Sequence, residues 1–133
     1  MGNKKLPLII AVDFDDTIVN TDPFFNISTL KEGAKEVINK WYAQGIYIII
    51  WTCRHMETKN TAELFLIENG INFHKINEHS IFTHIDWPNP GPKVYADIYI
   101  DDKSLELVSQ GKSIDWNIID EQVKNYIKLK NNV

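Results

Sequence analysis

LIIAVDFDDT, residues 8–17, joins a continuous apolar run to three carboxylates, those of Asp13, Asp15 and Asp16. A run of large aliphatic side chains without polar alternation is typical of a strand buried on both faces, as in a parallel sheet. Like charges crowded at the end of such a strand repel one another unless a cation or hydrogen-bond donors offset them. The stretch therefore predicts a buried strand whose carboxyl end carries chemistry.

A second acidic pair, Asp101 and Asp102, follows the apolar run IYI at residues 98–100. The carboxyl ends of parallel strands meet at one edge of a sheet, where open α/β folds bind their ligands. Carboxylate, water and phosphate oxygens form the all-oxygen shell that suits Mg²⁺. We therefore expect the two acidic strand ends to share one metal site.

The composition is that of an ordinary globular protein. With 133 residues the chain is long enough for one core, and we expect a single domain over residues 1–133. A net charge of −4 argues against a broad basic face that would grip duplex nucleic acid. No signal-peptide pattern opens the chain, no segment reaches the roughly 20 apolar residues of a membrane helix, and Cys53 is the only cysteine. These features predict a cytoplasmic protein without membrane association.

Strand patterns alternate with helical patterns along the chain. The predicted strands are residues 8–12, 46–51, 71–76 and 96–100, with a weak fifth candidate at 113–116. This alternation predicts an α/β fold, a three-layer doubly wound parallel sheet with right-handed crossovers.

Helical spacing of apolar residues predicts three helices between and after these strands. They are one from an N-cap at Ser28 or Thr29 to a stop at Gly45, one over about 58–69, and one from Trp116 or Asn117 onward. Residues 20–29 and 77–92 are predicted loops, and the second is rich in Pro, Asn and His.

The acidic edge carries the groups that phosphoryl transfer needs. One carboxylate can attack phosphorus and form an aspartyl-phosphate, while a second protonates the leaving oxygen and later activates water. Asp13 and Asp15 can both reach one ligand, because positions i and i+2 of an extended chain share a face. The Thr52 hydroxyl and the Lys93 ammonium can hold phosphoryl oxygens. Arg54, just beyond Thr52, is a candidate substrate contact.

This order of residues resembles the haloacid dehalogenase (HAD) superfamily. The matching segments are VDFDDT at 12–17, IIIWT at 48–52, Lys93, and IYIDD at 98–102. The resemblance implies an HAD-like Rossmannoid fold. It also implies the activity that dominates the superfamily, a Mg²⁺-dependent phosphatase that cleaves a phosphomonoester through an aspartyl-phosphate.

The resemblance also implies a role for each acid. Asp13 would be the nucleophile and a Mg²⁺ ligand. Asp15 would be the general acid and base, with its backbone carbonyl on the metal. Asp101 would ligate Mg²⁺, and Asp102 would do so directly or through water.

The groups that the resemblance implies for phosphate binding are Thr52, Lys93 and the backbone N–H groups around Phe14 and Asp16. Asp16 stands where many members of the superfamily carry Gly. A side chain is tolerable at this position if it points away from the phosphate.

Larger members of the superfamily insert a cap domain at one of two places, which here correspond to about ten residues, 20–29, and about sixteen, 77–92. Neither segment is long enough to form a domain, so the resemblance implies a small capless phosphatase with an open site. Open sites of this kind accept larger substrates or rely on an oligomer or another partner to cover them. The substrate class stays open between a phosphorylated small molecule and a nucleic-acid end.

The alternative is a non-catalytic module on the same fold type. A phospho-acceptor domain of the response-regulator type also combines an acidic cluster with Thr and Lys, but its acceptor Asp lies on the middle strand. Here the third strand ends in KINE at 75–78 without an Asp, and Lys93 precedes the last strand. The order of residues therefore disfavours this alternative. A phosphate-binding module without turnover is the remaining one.

Overall fold

A computed structural model describes residues 6–131. Residues 1–5, where the sequence predicts no signal peptide, and 132–133 lie outside the described residues. The strands are β1 (Ile9–Val12), β2 (Val19–Thr21), β3 (Ile27–Leu30), β4 (Tyr47–Ile50), β5 (Lys75–Ile76) and β6 (Ile98–Ile100). The helices are α1 (Ala34–Ala43), α2 (Glu57–Glu68), α3 (Ile81–Asp86), α4 (Leu105–Ser109) and α5 (Trp116–Asn131). Within residues 6–131, none of these helices combines the length and apolar character that crossing a membrane requires.

β1 lies inside a four-stranded parallel sheet with the strand order β5-β4-β1-β6. Ile10 of β1 is opposite Ile48 of β4 on one side and Ile98 of β6 on the other. Every residue of β1 and β4 is buried. The prediction of a parallel sheet with strands buried on both faces is therefore confirmed, and the mixed α/β arrangement is compatible with a Rossmann-like fold.

Two apolar clusters lie on opposite sides of the sheet. Ile10 and Val12 face the larger cluster, which includes residues of α1, α2 and α5. Ile9 and Ala11 face the smaller cluster, which Val94 and neighbouring apolar side chains complete. Because β1 contributes alternate residues to both clusters, the position of its carboxyl end is fixed from two sides.

A β-hairpin follows β1, so the prediction of a loop at residues 20–29 is wrong. β2 pairs with β3 in antiparallel fashion, with Val19 opposite Leu30. The tip is closed by the Asp22 carboxylate, which accepts hydrogen bonds from the N–H groups of Phe24 (2.8 Å) and Asn26 (3.0 Å). Strands of three and four residues with mixed polarity give little periodicity, which explains why the sequence pattern does not predict them.

The start of α1 also differs from the prediction. Ser28 and Thr29, the predicted N-caps, lie in β3, and the helix begins only at Ala34. Gly33 makes the turn between β3 and α1 with a φ of 84°, a left-handed conformation that glycine adopts without steric cost.

Three further segments differ from the prediction, whereas α2 and α5 lie close to where it puts them. The strand expected at 71–76 is reduced to the two residues of β5. The loop expected at 77–92 contains α3, where the Ser80 hydroxyl oxygen accepts a hydrogen bond from the Thr83 N–H at 3.0 Å. Residues 113–116 form no strand and lead into α5, so β6 is the edge of the described sheet.

The first turn of α5 is anchored to the acidic motif. The Trp116 indole Nε1–H donates a hydrogen bond to the Thr17 carbonyl oxygen at 2.8 Å, and the group is buried. The Trp116 ring also packs against Trp41 of α1, with 5.8 Å between ring centroids. Asp120 of α5 accepts a hydrogen bond from the Trp41 indole N–H and forms an ion pair with Lys40. These contacts fix the turn after β1 against two helices.

Gly33 and Gly45 allow a matched test of this packing. Both have positive φ, 84° and 87°, but a Cβ on Gly33 would lie 3.2 Å from the Trp116 Cβ, and a Cβ on Gly45 would meet nothing within 4 Å. We expect Gly45→Ala to lower the free energy of unfolding by about 1 kcal/mol and Gly33→Ala by about 2 kcal/mol, because only the latter adds an unusually tight contact to the backbone strain. Urea unfolding measures both, and equal losses would contradict a tight Gly33–Trp116 contact.

Candidate functional site

Asp13, Asp101 and Asp102 come together at the carboxyl ends of β1 and β6. The two strands are paired, with Val12 opposite Ile100, so the residues that follow them are neighbours. The Asp13 N–H donates to the Ile100 carbonyl oxygen at 2.9 Å and continues the ladder by one residue. One carboxylate oxygen from each of the three acids lies within 4.8 Å of the others.

Thr17 links two of these acids. Its hydroxyl oxygen lies 3.2 Å from Asp13 Oδ2 and 3.2 Å from Asp102 Oδ1, and it accepts a hydrogen bond from the Asp102 N–H at 3.0 Å. A hydroxyl has one proton, so it donates to one carboxylate at a time. Thr17 is fully buried, and it holds Asp13 and Asp102 side by side. Thr17 belongs to the acidic motif, but its spacing from Asp13 alone does not predict this link to Asp102.

The crowding shifts the pKa of Asp13 far upward. Burial raises this pKa from 3.8 to about 8, with further contributions from the Asp101 charge and the hydrogen bond with Asp102. Burial also acts to raise the pKa of Asp102, but hydrogen bonds with Asp13, Lys103 and Asp101 outweigh it and lower that pKa. Without a cation, the cluster therefore favours the protonated form of Asp13 more than an isolated carboxyl would, and a bound cation would offset the same crowding.

The cluster has the donor set of a hard divalent cation. It offers three half-buried carboxylates, and no His or Cys of the described chain belongs to it. All-oxygen ligands select Mg²⁺ or Ca²⁺ over zinc, which takes nitrogen and sulfur ligands. Asp13, Asp101 and Asp102 are therefore the side chains that would hold Mg²⁺, and the role of the Asp15 backbone carbonyl stays a prediction.

The Asp15 carboxylate lies apart from this cluster and is bound by Arg54. Arg54 Nε is 3.1 Å from Asp15 Oδ1 and 3.0 Å from Oδ2, and Nη2 is 2.7 Å from Oδ1. The Arg54 side chain is 1% exposed, whereas that of Asp15 is 21% exposed. Arg54 is predicted from the sequence as a candidate substrate contact. The structure instead places its guanidinium beneath Asp15, away from solvent.

Thr52 lies at the end of β4 and is held by Asn77. The Thr52 N–H donates to Asn77 Oδ1 at 2.8 Å, and the Asn77 side-chain amide donates to the Thr52 carbonyl oxygen at 2.9 Å. The Thr52 hydroxyl oxygen accepts the Arg54 backbone N–H at 3.1 Å, and within residues 6–131 its own proton has no acceptor, so it can donate to a ligand. Asn77 adopts a φ of 54°, which Asn tolerates better than most residues, but this long-range contact has no signal in the sequence.

Lys93 is exposed, and its ammonium lies 4.7 Å from the centroid of the Tyr99 ring. Among residues 6–131, no ion pair joins Lys93 to any of the acids at the strand ends. The structure therefore places Lys93 on the β6 side of the sheet without bringing it into contact with Asp13.

Phe14 and Asp16 shape the turn after β1. The Phe14 side chain is buried, and its carbonyl oxygen accepts the N–H groups of Thr17, Ile18 and Val19. Asp16 has a φ of 59°, and its N–H donates to the Val19 carbonyl oxygen at 2.7 Å. The Asp16 N–H is thus already paired, and phosphate binding by the backbone at Phe14 and Asp16 stays a prediction.

Solved structures resemble this chain, whereas no protein-family model and no curated protein matches it. One is a conserved protein of Bacteroides thetaiotaomicron, 28% identical with a TM-score of 0.75, and the match covers 91% of this chain and 93% of that one. Another belongs to the Pnkp1/Rnl/Hen1 RNA repair complex, 18% identical with a TM-score of 0.54, covering 80% of this chain and 39% of that one. The second likeness shows the fold alone.

The pKa of Asp13 predicts how the stability of the metal-free protein depends on pH. The folded pKa of about 8 lies above the unfolded value of 3.8, so this acid's stabilising contribution is complete below pH 4 and is lost as the pH rises through about 8. Asn does not ionise, so we expect Asp13→Asn to remove this loss of stability at high pH. Near pH 9 its free energy of unfolding should exceed that of the wild type by more than about 1.4 kcal/mol, which is the free energy equivalent to a pKa difference of one unit. Urea unfolding with a chelator measures the difference.

Asp120→Asn is the control of opposite sign. Burial acts to raise the pKa of Asp120, but the hydrogen bonds from Lys40 and Trp41 lower it overall. The stabilising contribution of Asp120 is therefore present at neutral pH and is lost as the pH falls through its lowered pKa. Asp120→Asn should therefore have a lower free energy of unfolding than the wild type at neutral pH, and the difference should shrink in acid. A difference between Asp13→Asn and the wild type that does not change with pH would contradict the account of Asp13.

Proposed function

We propose that this protein is a Mg²⁺-dependent phosphohydrolase of the HAD superfamily that cleaves a phosphomonoester through an aspartyl-phosphate on Asp13. The observation that carries the proposal is the meeting of Asp13, Asp101 and Asp102 at the ends of two paired parallel strands. The neighbouring strand ends add the Asp15 carboxyl and the Thr52 hydroxyl. The proposal includes the superfamily's three-layer doubly wound sheet.

The chemistry assigns one role to each of the two motif acids. An Asp13 carboxylate oxygen attacks phosphorus, the bond from phosphorus to the leaving oxygen breaks, and the Asp15 carboxyl gives its proton to that oxygen. Water then attacks the phosphoryl group on Asp13 and gives a proton to Asp15, which releases phosphate and restores both acids. Asp13, Asp101 and Asp102 would hold Mg²⁺, which would neutralise negative charge on the phosphoryl oxygens when bound.

Two side chains are available to hold the phosphoryl oxygens. The Thr52 hydroxyl oxygen accepts the Arg54 N–H, and in the described part of the chain its proton has no acceptor, so it can donate to a phosphoryl oxygen. Lys93 contacts Tyr99 in the described structure and is exposed, so its long side chain is free to turn toward a bound phosphate. Its cation would then meet the phosphoryl group from the β6 side.

The site is proposed to be open and without a cap domain. The two segments where a cap would be inserted contain only the hairpin β2–β3 and the six residues of α3. Such a site suits a phosphorylated small molecule or a nucleic-acid end, with an oligomer or another partner as a cover. The fold-level likeness to a chain of an RNA repair complex adds a phosphorylated RNA end to the substrates worth testing.

Phosphate release from p-nitrophenyl phosphate tests the proposal. We expect activity that requires Mg²⁺ and falls about a thousandfold or more in Asp13→Asn, because the amide cannot act as the nucleophile. Glu121→Gln removes one negative charge from an exposed position on α5 and serves as the matched control, with activity unchanged. The absence of Mg²⁺-dependent release, or equal activity of Asp13→Asn and the wild type, would contradict the proposal. A long-lived phosphoryl group on Asp13 without release would identify a phospho-acceptor domain instead.

A further inference from the structure

The Arg54 guanidinium is surrounded by hydrogen-bond acceptors and aromatic rings. Besides the contacts to Asp15, Nη1 donates to the Thr58 carbonyl oxygen at 3.1 Å and Nη2 donates to the Phe25 carbonyl oxygen at 2.8 Å. Its Cζ lies 5.1 Å from the Phe14 ring centroid and 5.3 Å from that of Phe25. To reach a substrate phosphate, Arg54 would have to break these contacts and leave a buried site, so a role as a direct phosphate ligand would be costly.

The same contacts fix the orientation of the Asp15 carboxyl. A carboxyl group by itself rotates through a broad range about its last side-chain torsion. The fork from Nε and Nη2 binds both oxygens and restricts this rotation. The two oxygens of a carboxyl group have about four lone-pair positions, and the contacts with Arg54 use two on Oδ1 and one on Oδ2. One position on Oδ2 stays available for the transferred proton, and the 21% exposure of the Asp15 side chain gives solvent access to it.

Thr52 and Arg54 act from one turn of the chain. The Thr52 hydroxyl accepts the Arg54 backbone N–H, so the residue proposed to hold phosphate and the residue that binds Asp15 are fixed relative to each other. The Arg54 bond to the Phe25 carbonyl oxygen extends this connection to the tip of the hairpin. A single buried side chain therefore joins the ends of β1 and β4 and the hairpin.

We propose that Arg54 is a positioning residue, which orients the Asp15 carboxyl for proton transfer to the leaving oxygen. This inference rests on the proposed phosphohydrolase function and assigns Arg54 a role other than substrate binding. Proton transfer depends on alignment within hydrogen-bond reach, and misplacing a catalytic group by about 1 Å can cost a hundredfold in rate. Loss of Arg54 should therefore act on the protonation step and not on phosphate binding.

The leaving group separates these two roles. An alkoxide is a poor leaving group and needs a proton as the bond breaks, whereas p-nitrophenolate leaves readily without one. A variant with a misaligned Asp15 should therefore lose more activity toward an alkyl phosphate than toward p-nitrophenyl phosphate. A variant with general structural damage should lose the same factor with both substrates.

The experiment compares kcat/KM for glycerol phosphate and p-nitrophenyl phosphate in Arg54→Lys, Arg54→Gln and Asp15→Asn. We expect each variant to lose at least about tenfold more with glycerol phosphate than with p-nitrophenyl phosphate. The double variant Arg54→Gln/Asp15→Asn should be no worse than Asp15→Asn with either substrate, because the two residues act as a unit. Lys40→Gln, which removes the ion pair to Asp120 on α5, is the control. In this variant kcat/KM should change by the same factor for both substrates.

Three outcomes would overturn the inference. Equal losses with the two substrates would make Arg54 a structural residue only. A rise in KM alone with both substrates, reversed by Arg54→Lys, would make it a substrate ligand. A wild-type protein that hydrolyses neither substrate would overturn the proposed function and the inference together, whereas the first two outcomes leave the function intact. If Arg54→Gln does not fold, Arg54→Lys decides, because it keeps the buried charge pair.

Discussion

The crowding of three carboxylates at the ends of β1 and β6 is the constraint on which the site depends. Because the two strands are paired, Asp13, Asp101 and Asp102 lie close together. Burial makes it costly for all three carboxyl groups to be ionised at once. The Thr17 hydroxyl and Lys103 offset part of this cost through their bonds to Asp102, and the remaining crowding and burial raise the pKa of Asp13. A divalent cation bound by the three carboxylates would remove the same cost. The unfavourable clustering of these acids therefore supports the proposal that they form a cation site.

The surrounding structure holds each strand end through contacts between residues far apart in the chain. Trp116 donates a hydrogen bond to the turn after β1, and the Asn77 side chain hydrogen-bonds the backbone just after β4. Arg54 forms an ion pair with the Asp15 side chain. Each of these contacts involves a buried or half-buried group, so each bond is shielded from competition with water. The acids and the proposed phosphate ligands therefore sit on a rigid support, while the Lys93 side chain and the hairpin tip lie at the exposed margin.

Local patterns suffice for the sheet and the acidic edge but not for the contacts that organise them. The buried runs of β1 and β4 and the apolar spacing of α2 and α5 predict those elements, and pairing of strand ends predicts that Asp13 and Asp101 meet. The hairpin escapes prediction because its strands are short and because it is closed by turn contacts of Asp22. The burial of Arg54 is not predicted for another reason. Its partner Asp15 is 39 residues away in the chain, and the local sequence does not distinguish a buried arginine from an exposed one.

Calorimetric titration with Mg²⁺ tests most directly whether the three crowded acids form one cation site. The account predicts one Mg²⁺ per chain in the wild type and binding at least about tenfold weaker in Asp101→Asn, which removes a ligand charge. Asp15→Asn, whose side chain lies against Arg54 and outside the cluster, should bind Mg²⁺ with nearly the wild-type affinity. Unchanged affinity in Asp101→Asn, or an equal loss in Asp15→Asn, would contradict the account.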